Sequence, residues 1–414
     1  MVARAAGGPG PSPPGTLPRM RAATWPLLLA AFAVGVDGYL VAGVLPAVAA
    51  DLNEPVAAVA LMASAYALPT ALLAPVFGPV SDRYGRRLAM TVGLLIFSLA
   101  AGFCVLAPTL PLLLLARAVN GLGSAIIIPA AFAYAGDMPD PVVRSRTIAA
   151  LASAFPLATL LGLPLGALVA TLAGWRAAFA FIALVAVVAA LLLRRFCPAD
   201  QPRAGERLGY LATYGVVLRD RHALSVLSVA FFWFLGPTAL FTFMGEFVHH
   251  FFGVPAAAAG LIYMVVGVVG VIAARLAGRL MPAVGPRRMV LLGIGIFGIA
   301  AVLMPLTSAW LPLTIADFGF WAFGTWFGVP ALQTIVSGLS GTARGTMLAF
   351  NSSAQNLSGV FGPVIGGAVL AAGGWGALGL LGGCFGGVAF LVALRVVPRS
   401  VPAAAAGPVL SLEA

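Results

Sequence analysis

Residues 78–87 read GPVSDRYGRR, and residues 278–287 read GRLMPAVGPR. The two stretches lie 200 positions apart and share glycine at their first and eighth places and arginine at their last. Each is a short charged break between long apolar runs, at about 57–77 and 88–107 for the first and about 257–277 and 289–307 for the second. An apolar run of about 20 residues spans the hydrocarbon core of a bilayer as a helix. The 200-residue offset recurs elsewhere. GLPLG, from Gly162, aligns with GPVIG, from Gly362, and Gly174-Trp175 aligns with Gly374-Trp375. Agreement at three separated places without a gap points to two homologous halves related by a pseudo-two-fold, with a cavity between them.

Twelve apolar runs follow from the same reading. Six lie at about 25–49, 57–77, 88–107, 111–134, 147–171 and 176–193. Six more lie at about 223–244, 257–277, 289–307, 311–336, 346–371 and 376–394. The expected fold is all-α and integral to the membrane, with twelve transmembrane helices in two pseudo-symmetric six-helix bundles. The expected organisation is a disordered cytoplasmic tail at 1–23, a bundle at 24–193, a cytoplasmic central loop at 194–221, a bundle at 222–395 and a cytoplasmic tail at 396–414. The first run is too long for the apolar core of a signal peptide and carries Asp37 in its middle. The composition agrees: 61% of the 414 residues are hydrophobic and only 8% charged. A soluble domain carries roughly a quarter charged residues.

The formal net charge is +11. Every basic residue other than histidine is arginine. With the N-terminus inside, nearly all the arginines fall on cytoplasmic segments; Arg176 is on an outer loop and Arg117 within a helix. That is the positive-inside pattern rather than a nucleic-acid footprint, and it predicts both termini in the cytoplasm and an inner-membrane location. Without lysine there is no Walker A loop, so uphill work would draw on an ion gradient or a partner subunit. Cys104, Cys197 and Cys384 have no metal-ligand spacing, and His222, His249 and His250 complete no HExxH pattern. No metal, cofactor or enzymatic constellation is expected.

Three ionisable groups lie inside the apolar runs: Asp37, Arg117 and Asp317. Each costs on the order of 3 kcal/mol to insert, so each is expected to face a cavity or a partner. Asp37 can be a proton carrier or a fixed ion-pair partner of Arg117. Asp317 can be a second coupling site, a substrate contact or a partner of Arg117. The halves differ at these places, because Asp37 is matched by Pro237, Asp82 by Pro282 and Arg117 by Asp317. In the loop, Gly78 and Gly85 suit a tight turn, Asp82 suits a helix N-terminus, and Arg83, Arg86 and Arg87 suit an intracellular latch. Gly162, Pro164 and Gly166 put small residues and a kink on one helix face. Asn351, Gln355 and Ser358 form a polar stripe. Aromatic residues cluster around Trp233 and Trp321, where a few could line a substrate cavity.

These motifs resemble the major facilitator superfamily over about residues 25–394, and within it the twelve-helix drug:proton antiporter branch near the chloramphenicol and arabinose efflux proteins. GPVSDRYGRR matches the superfamily's loop signature at Gly78, Asp82, Arg83, Gly85, Arg86 and Arg87. LLLLARAVNGLGSA, around Arg117, is similar to the branch's fourth-helix motif, with Asn120 where glutamine is usual. ATLLGLPLGALVATLAGWRAAF resembles the fifth-helix antiporter motif, with Gly162-Leu163-Pro164 in place of an adjacent Gly-Pro. GVDGYLVAGVLPAVAADL is similar to the family's first helix. The resemblance implies a monomeric secondary transporter that exchanges protons for a small amphiphilic molecule or drug. Asp37, Arg117 and Asp317 would serve proton coupling, and the loop gating. Asn351, Gln355, Trp233 and Trp321 are candidates for the substrate cavity. A sugar or metabolite symporter or uniporter would share the fold.

Overall fold

The computed structural model describes residues 16–198, 215, 218–339 and 344–397, and every regular element within them is helical. Lipid offers the backbone no hydrogen-bond partners, so an apolar chain of this kind satisfies its amides within helices. Helix α1 is Thr16–Leu52. A single turn, α2 (Val56–Val59), leads into α3 (Leu61–Tyr84), followed by α4 (Arg86–Leu106) and α5 (Leu110–Gly136). Helix α6 (Pro141–Leu157) passes through a π-helical turn, Ala158–Gly162, into α7 (Leu163–Ala173), and α8 is Trp175–Phe196. The second half has α9 (Arg221–Phe252), α10 (Ala256–Val284), α11 (Pro286–Leu303) with a 3₁₀ turn at Met304–Ala309, α12 (Leu311–Gly338) and α13 (Arg344–Val396).

Ten of these helices are long and apolar enough to cross a membrane among the described residues. Helix α13 counts once in that ten, but it breaks at Gly374 (φ +69°, ψ −166°) and makes two crossings. Helix α12, which carries Asp317, is outside that ten but has 28 residues, ample length for a further crossing. Twelve crossings result. Their outer faces are apolar where lipid would lie: Leu99, Phe103, Leu106, Leu172 and Leu191 are all largely exposed.

The sequence repeat is a structural repeat. In the first half α3 and α4 pack on α5, and α4 on α8; in the second, α10 and α11 pack on α12, and α11 on α13. The turns at Gly85 (φ +92°) and Gly285 (φ +82°) both need a backbone conformation that side-chain-bearing residues rarely adopt. Just beyond them, Arg87 Nη2 donates to the Arg194 carbonyl at 2.9 Å, and Arg287 Nη2 donates to the Leu394 carbonyl at 2.7 Å. Both partners of these bonds are displaced by 200 residues. Each is an arginine placed on the carbonyl end of a neighbouring helix, where positive charge is favoured.

Three sequence expectations change. Helix α1 starts at Thr16, inside the stretch expected to be tail. Helix α9 continues to Phe252, eight residues past the apolar run, and ends at Gly253 in a left-handed cap (φ +62°). It therefore takes Glu246 into a membrane-length helix. The fifth crossing carries a π turn immediately before Pro164. Proline has no amide to give Leu160 and its ring crowds that carbonyl, and a wider turn relieves both problems. The two tails beyond residues 16 and 397, and most of the central loop, lie outside the described residues.

Candidate functional site: a buried charge pair and its unpaired counterpart

Asp37 sits in the middle of α1, and Arg117 two turns into α5; neither is exposed at all. Arg117 Nη1 donates to Asp37 Oδ1 at 2.6 Å. Nη2 donates to the Asp37 carbonyl at 3.2 Å, and Nε to the Met62 carbonyl at 3.4 Å. The guanidinium also lies 4.7 Å over the Tyr66 ring and 5.6 Å from that of Phe179. A buried ion pair survives desolvation only with such additional contacts. The other carboxylate oxygen, Asp37 Oδ2, is buried with no hydrogen-bond partner, and so are both side-chain polar atoms of Asn120, one turn from Arg117.

The small residues of the fifth crossing press on the same stretch of α1. A Cβ on Gly162 would fall 2.2 Å from Val36 Cγ2, and one on Gly166 would fall 2.7 Å from Leu40 Cδ1. These glycines therefore seat α7 and the π turn on either side of Asp37. Gly121 plays a similar part on α5, where a Cβ would fall 2.0 Å from the Tyr66 carbonyl oxygen.

Asp317 has different surroundings. It is 8% exposed and borders a small cavity lined by Leu240, Phe241, Met244, Met304, Phe318 and Trp321, among others. Arg117 is not its partner, since that guanidinium is held by Asp37. Trp321, one helical turn on, has its Nε1 buried without a partner and stacks on Phe241 at 6.0 Å between ring centroids. Phe241 in turn meets Tyr39 of α1 edge-on at 5.3 Å. An aromatic series thus runs from the first half to the wall of the Asp317 cavity.

The remaining candidates are dispersed. Trp233 is fully buried within the second bundle, against Gly328 of α12, which removes it from any cavity between the halves. Its size suited a ligand wall, but Gly328 leaves a gap that the indole fills. Asn351 is buried with Oδ1 unpartnered, while Gln355 is partly exposed. Ser358 ties α13 to α9 through the Phe231 carbonyl at 2.7 Å. In the loop, Arg86 pairs with Asp137 at the end of α5 and with the Ala133 carbonyl, and Arg83 is exposed. These Arg86 bonds, and that of Arg87 to the Arg194 carbonyl, lie within the first half. The surroundings of Gly78 and of the Asp82 side chain lie outside what is described.

Two residues escaped the sequence reading. Asp137 partners Arg86 but sits in a polar break that attracted no attention. Glu246 has a buried Oε2 without a partner, and it was missed because hydropathy ended the seventh run at residue 244.

Comparison with known proteins agrees with this architecture. The Major Facilitator Superfamily model matches residues 27–339 and 276–409. Uncharacterized MFS-type transporter YwfA of Bacillus subtilis (strain 168) is 28% identical over 367 residues, covering 86% of this chain and 89% of its own length. Multidrug resistance protein 2 of the same organism is 27% identical over 315 residues, covering 74% and 78%. Among solved structures, a D-xylose-proton symporter superposes with a TM-score of 0.75 at 19% identity, covering 91% of this chain and 98% of that one. The two-bundle fold, the repeat-related turns and these matches lead to one identification: the chain belongs to the major facilitator superfamily, as a multi-pass secondary transporter of small molecules and not an enzyme.

Proposed function

We propose that this transporter is a proton-coupled exporter, which exchanges protons for a small amphiphilic molecule across a cytoplasmic membrane with both termini inside. The observation that carries the reading is the fully buried Asp37–Arg117 pair with one carboxylate oxygen left over. Oδ1 can hold the guanidinium or release it, and Oδ2 is open to a proton. When Asp37 is protonated, Arg117 still has the carbonyls of Asp37 and Met62 and the faces of Tyr66 and Phe179. The cation is therefore not stranded, and the pair can open and reclose within a packed bundle. The Gly162–Gly166 contacts place a helix of the inter-half seam directly on the Asp37 segment, which gives protonation a mechanical outlet. The likeness to a multidrug resistance protein supports an amphiphilic substrate. Asn351, Gln355 and Trp321 are the candidates to meet it, with Asp317 as a second coupling group.

In this conformation the contacts between halves described here lie toward the end away from the Gly85 and Gly285 turns. They include Ser64 Oγ to the Val360 carbonyl at 2.7 Å, and Gly267 against Leu160. With the arginine-bearing turns inside, that end is the outer one, and these contacts hold the halves together there.

Everted membrane vesicles with an imposed pH gradient and a pH-sensitive dye test the reading. Addition of a substrate from a panel of amphiphilic drugs, sugars and amino acids is expected to release protons from the acidified lumen. Release is expected to vanish in Asp37→Asn. Substrate-driven proton movement in the opposite direction would make the chain a symporter.

A further inference from the structure

Tyr263, on α10, is almost completely buried where three helices from both halves meet. Its hydroxyl accepts from the backbone N–H of Gly245 on α9 at 2.9 Å. It lies 3.1 Å from the Ala42 carbonyl of α1 and 3.4 Å from the Phe241 carbonyl of α9, with one proton to donate. The shorter distance favours Ala42. The hydroxyl thus reaches into the α9 ladder, between an amide and the carbonyl four residues before it, and links that point to α1. Residues 245 and 241 belong to one half, and residue 42 to the other.

The backbones at this point are as close as they can be. A Cβ on Gly245 would fall 2.8 Å from the Ala42 carbonyl oxygen and 3.1 Å from the Tyr263 hydroxyl. The Tyr263 ring packs 5.1 Å from Phe241, which itself meets Tyr39 of α1. The adjoining seam between α10 and α7 is apolar packing, with Gly260 against Pro164 and Ala167, and the other polar tie described at this end, Ser64 Oγ to the Val360 carbonyl, joins a different pair of helices, α3 and α13. Apolar contacts slide, and lipid or an apolar cavity wall can replace them. A hydroxyl donating to a buried carbonyl has a direction and a length, and neither group finds a substitute in a dry seam.

We propose that Tyr263 is the outer latch of the transporter: a positioning residue whose hydroxyl, seated on Gly245, holds α1 against α9 and α10 while the outer side is closed and must let go of Ala42 for that side to open. This rests on the proposed function with alternating access, in which the two halves expose the cavity between them first to one side and then to the other. Removing the tie should favour the outward-open state without touching substrate or proton groups. Two unlike changes should have the same effect. Tyr263→Phe keeps the ring and deletes the hydroxyl. Gly245→Ala keeps the hydroxyl and pushes the two backbones apart.

The test uses the full chain in nanodiscs with Cys384→Ala, since Cys384 is the exposed thiol and Cys104 and Cys197 are buried. One spin-label pair, Thr109→Cys with Ala309→Cys, reports on the outer side. Another, Leu88→Cys with Arg288→Cys, reports on the inner side; all four positions are exposed, and each pair is related by the 200-residue repeat. Loss of one net hydrogen bond is expected to raise the ratio of outward-open to inward-open molecules by on the order of fivefold. Both variants should show it as outer distances lengthening while inner distances shorten. Distance distributions unchanged from the parent in both variants would overturn the latch and leave the alternating-access reading untouched. Outer lengthening without inner shortening would overturn both, because releasing the tie would then open a seam without switching the state.

Discussion

The two halves share a backbone plan and differ most at the buried positions where their charges sit. In the first, Arg117 is fully enclosed, with a carboxylate, two carbonyls and two aromatic rings around it. At the repeat-related place in the second, Asp317 borders a small apolar cavity, and Pro237 stands where Asp37 would be its match. The next repeat-related pair reverses the packing. Gly121 lets α5 touch the backbone of α3, whereas Trp321 fills the space with an indole. The first half thus holds a charge pair tightly between closely spaced helices, and the second holds a lone acid behind an aromatic wall. The proposed coupling draws on the paired site, and the comparison explains why exchanging the halves' residues would not preserve that pair.

Breaking the pair should give the largest effect. Arg117→Ala leaves Asp37 buried without its counter-ion and should destabilise the protein by about 3–5 kcal/mol, seen as a large fall in apparent unfolding temperature in detergent. A double replacement, Asp37→Asn with Arg117→Met, should recover most of that loss, because no unpaired charge remains. If the double variant were no better than the single, the pair's contribution would lie in packing.

Gly121→Ala should come next. Its Cβ would meet a backbone oxygen rather than a flexible side chain, so overpacking of about 1–3 kcal/mol is expected. At the related position of the second half no such constraint applies, since a tryptophan already occupies it. An unchanged unfolding temperature in Gly121→Ala would mean that the two halves tolerate the same spacing after all.

The smallest effect on stability should come from Asp317→Leu. It deletes a buried acid without orphaning a partner, and hydrophobic replacement of buried charge is often neutral or stabilising. An unfolding temperature equal to or above the parent's is expected, in contrast to Arg117→Ala. A fall as steep as that of Arg117→Ala would show that Asp317 has a structural partner of its own.

Much of the fold was legible because its determinants are local or periodic. Apolar runs mark crossings, and the offset of 200 marks the halves. Gly85 suited a turn that Gly285 shares, and Gly174 and Gly374, aligned by the repeat, both take a positive φ. The site was legible only in part. Asp37 and Arg117 stand out against an apolar background, but nothing in their spacing, 80 residues apart, says that they touch. Tyr263 was not legible at all. A tyrosine near the start of an apolar helix is unremarkable until its hydroxyl is seen between Gly245 and Ala42. Glu246 was lost because hydropathy stops at a charge, whereas the helix continues as long as its backbone needs partners. Trp233 was misread because a large aromatic residue fits a ligand wall and a bundle core equally well, and only its neighbours decide.

The proposed role of Asp37 is to couple proton movement to transport, beyond holding two helices together. Proteoliposomes containing Asp37→Asn separate these roles, once the vesicle panel has identified a substrate. Exchange of labelled for unlabelled substrate, with no pH gradient, needs only the conformational cycle, whereas uphill accumulation driven by a gradient also needs the proton carrier. Asp37→Asn is expected to retain exchange and lose accumulation. Gradient-driven accumulation at the parent's level in Asp37→Asn would contradict that role.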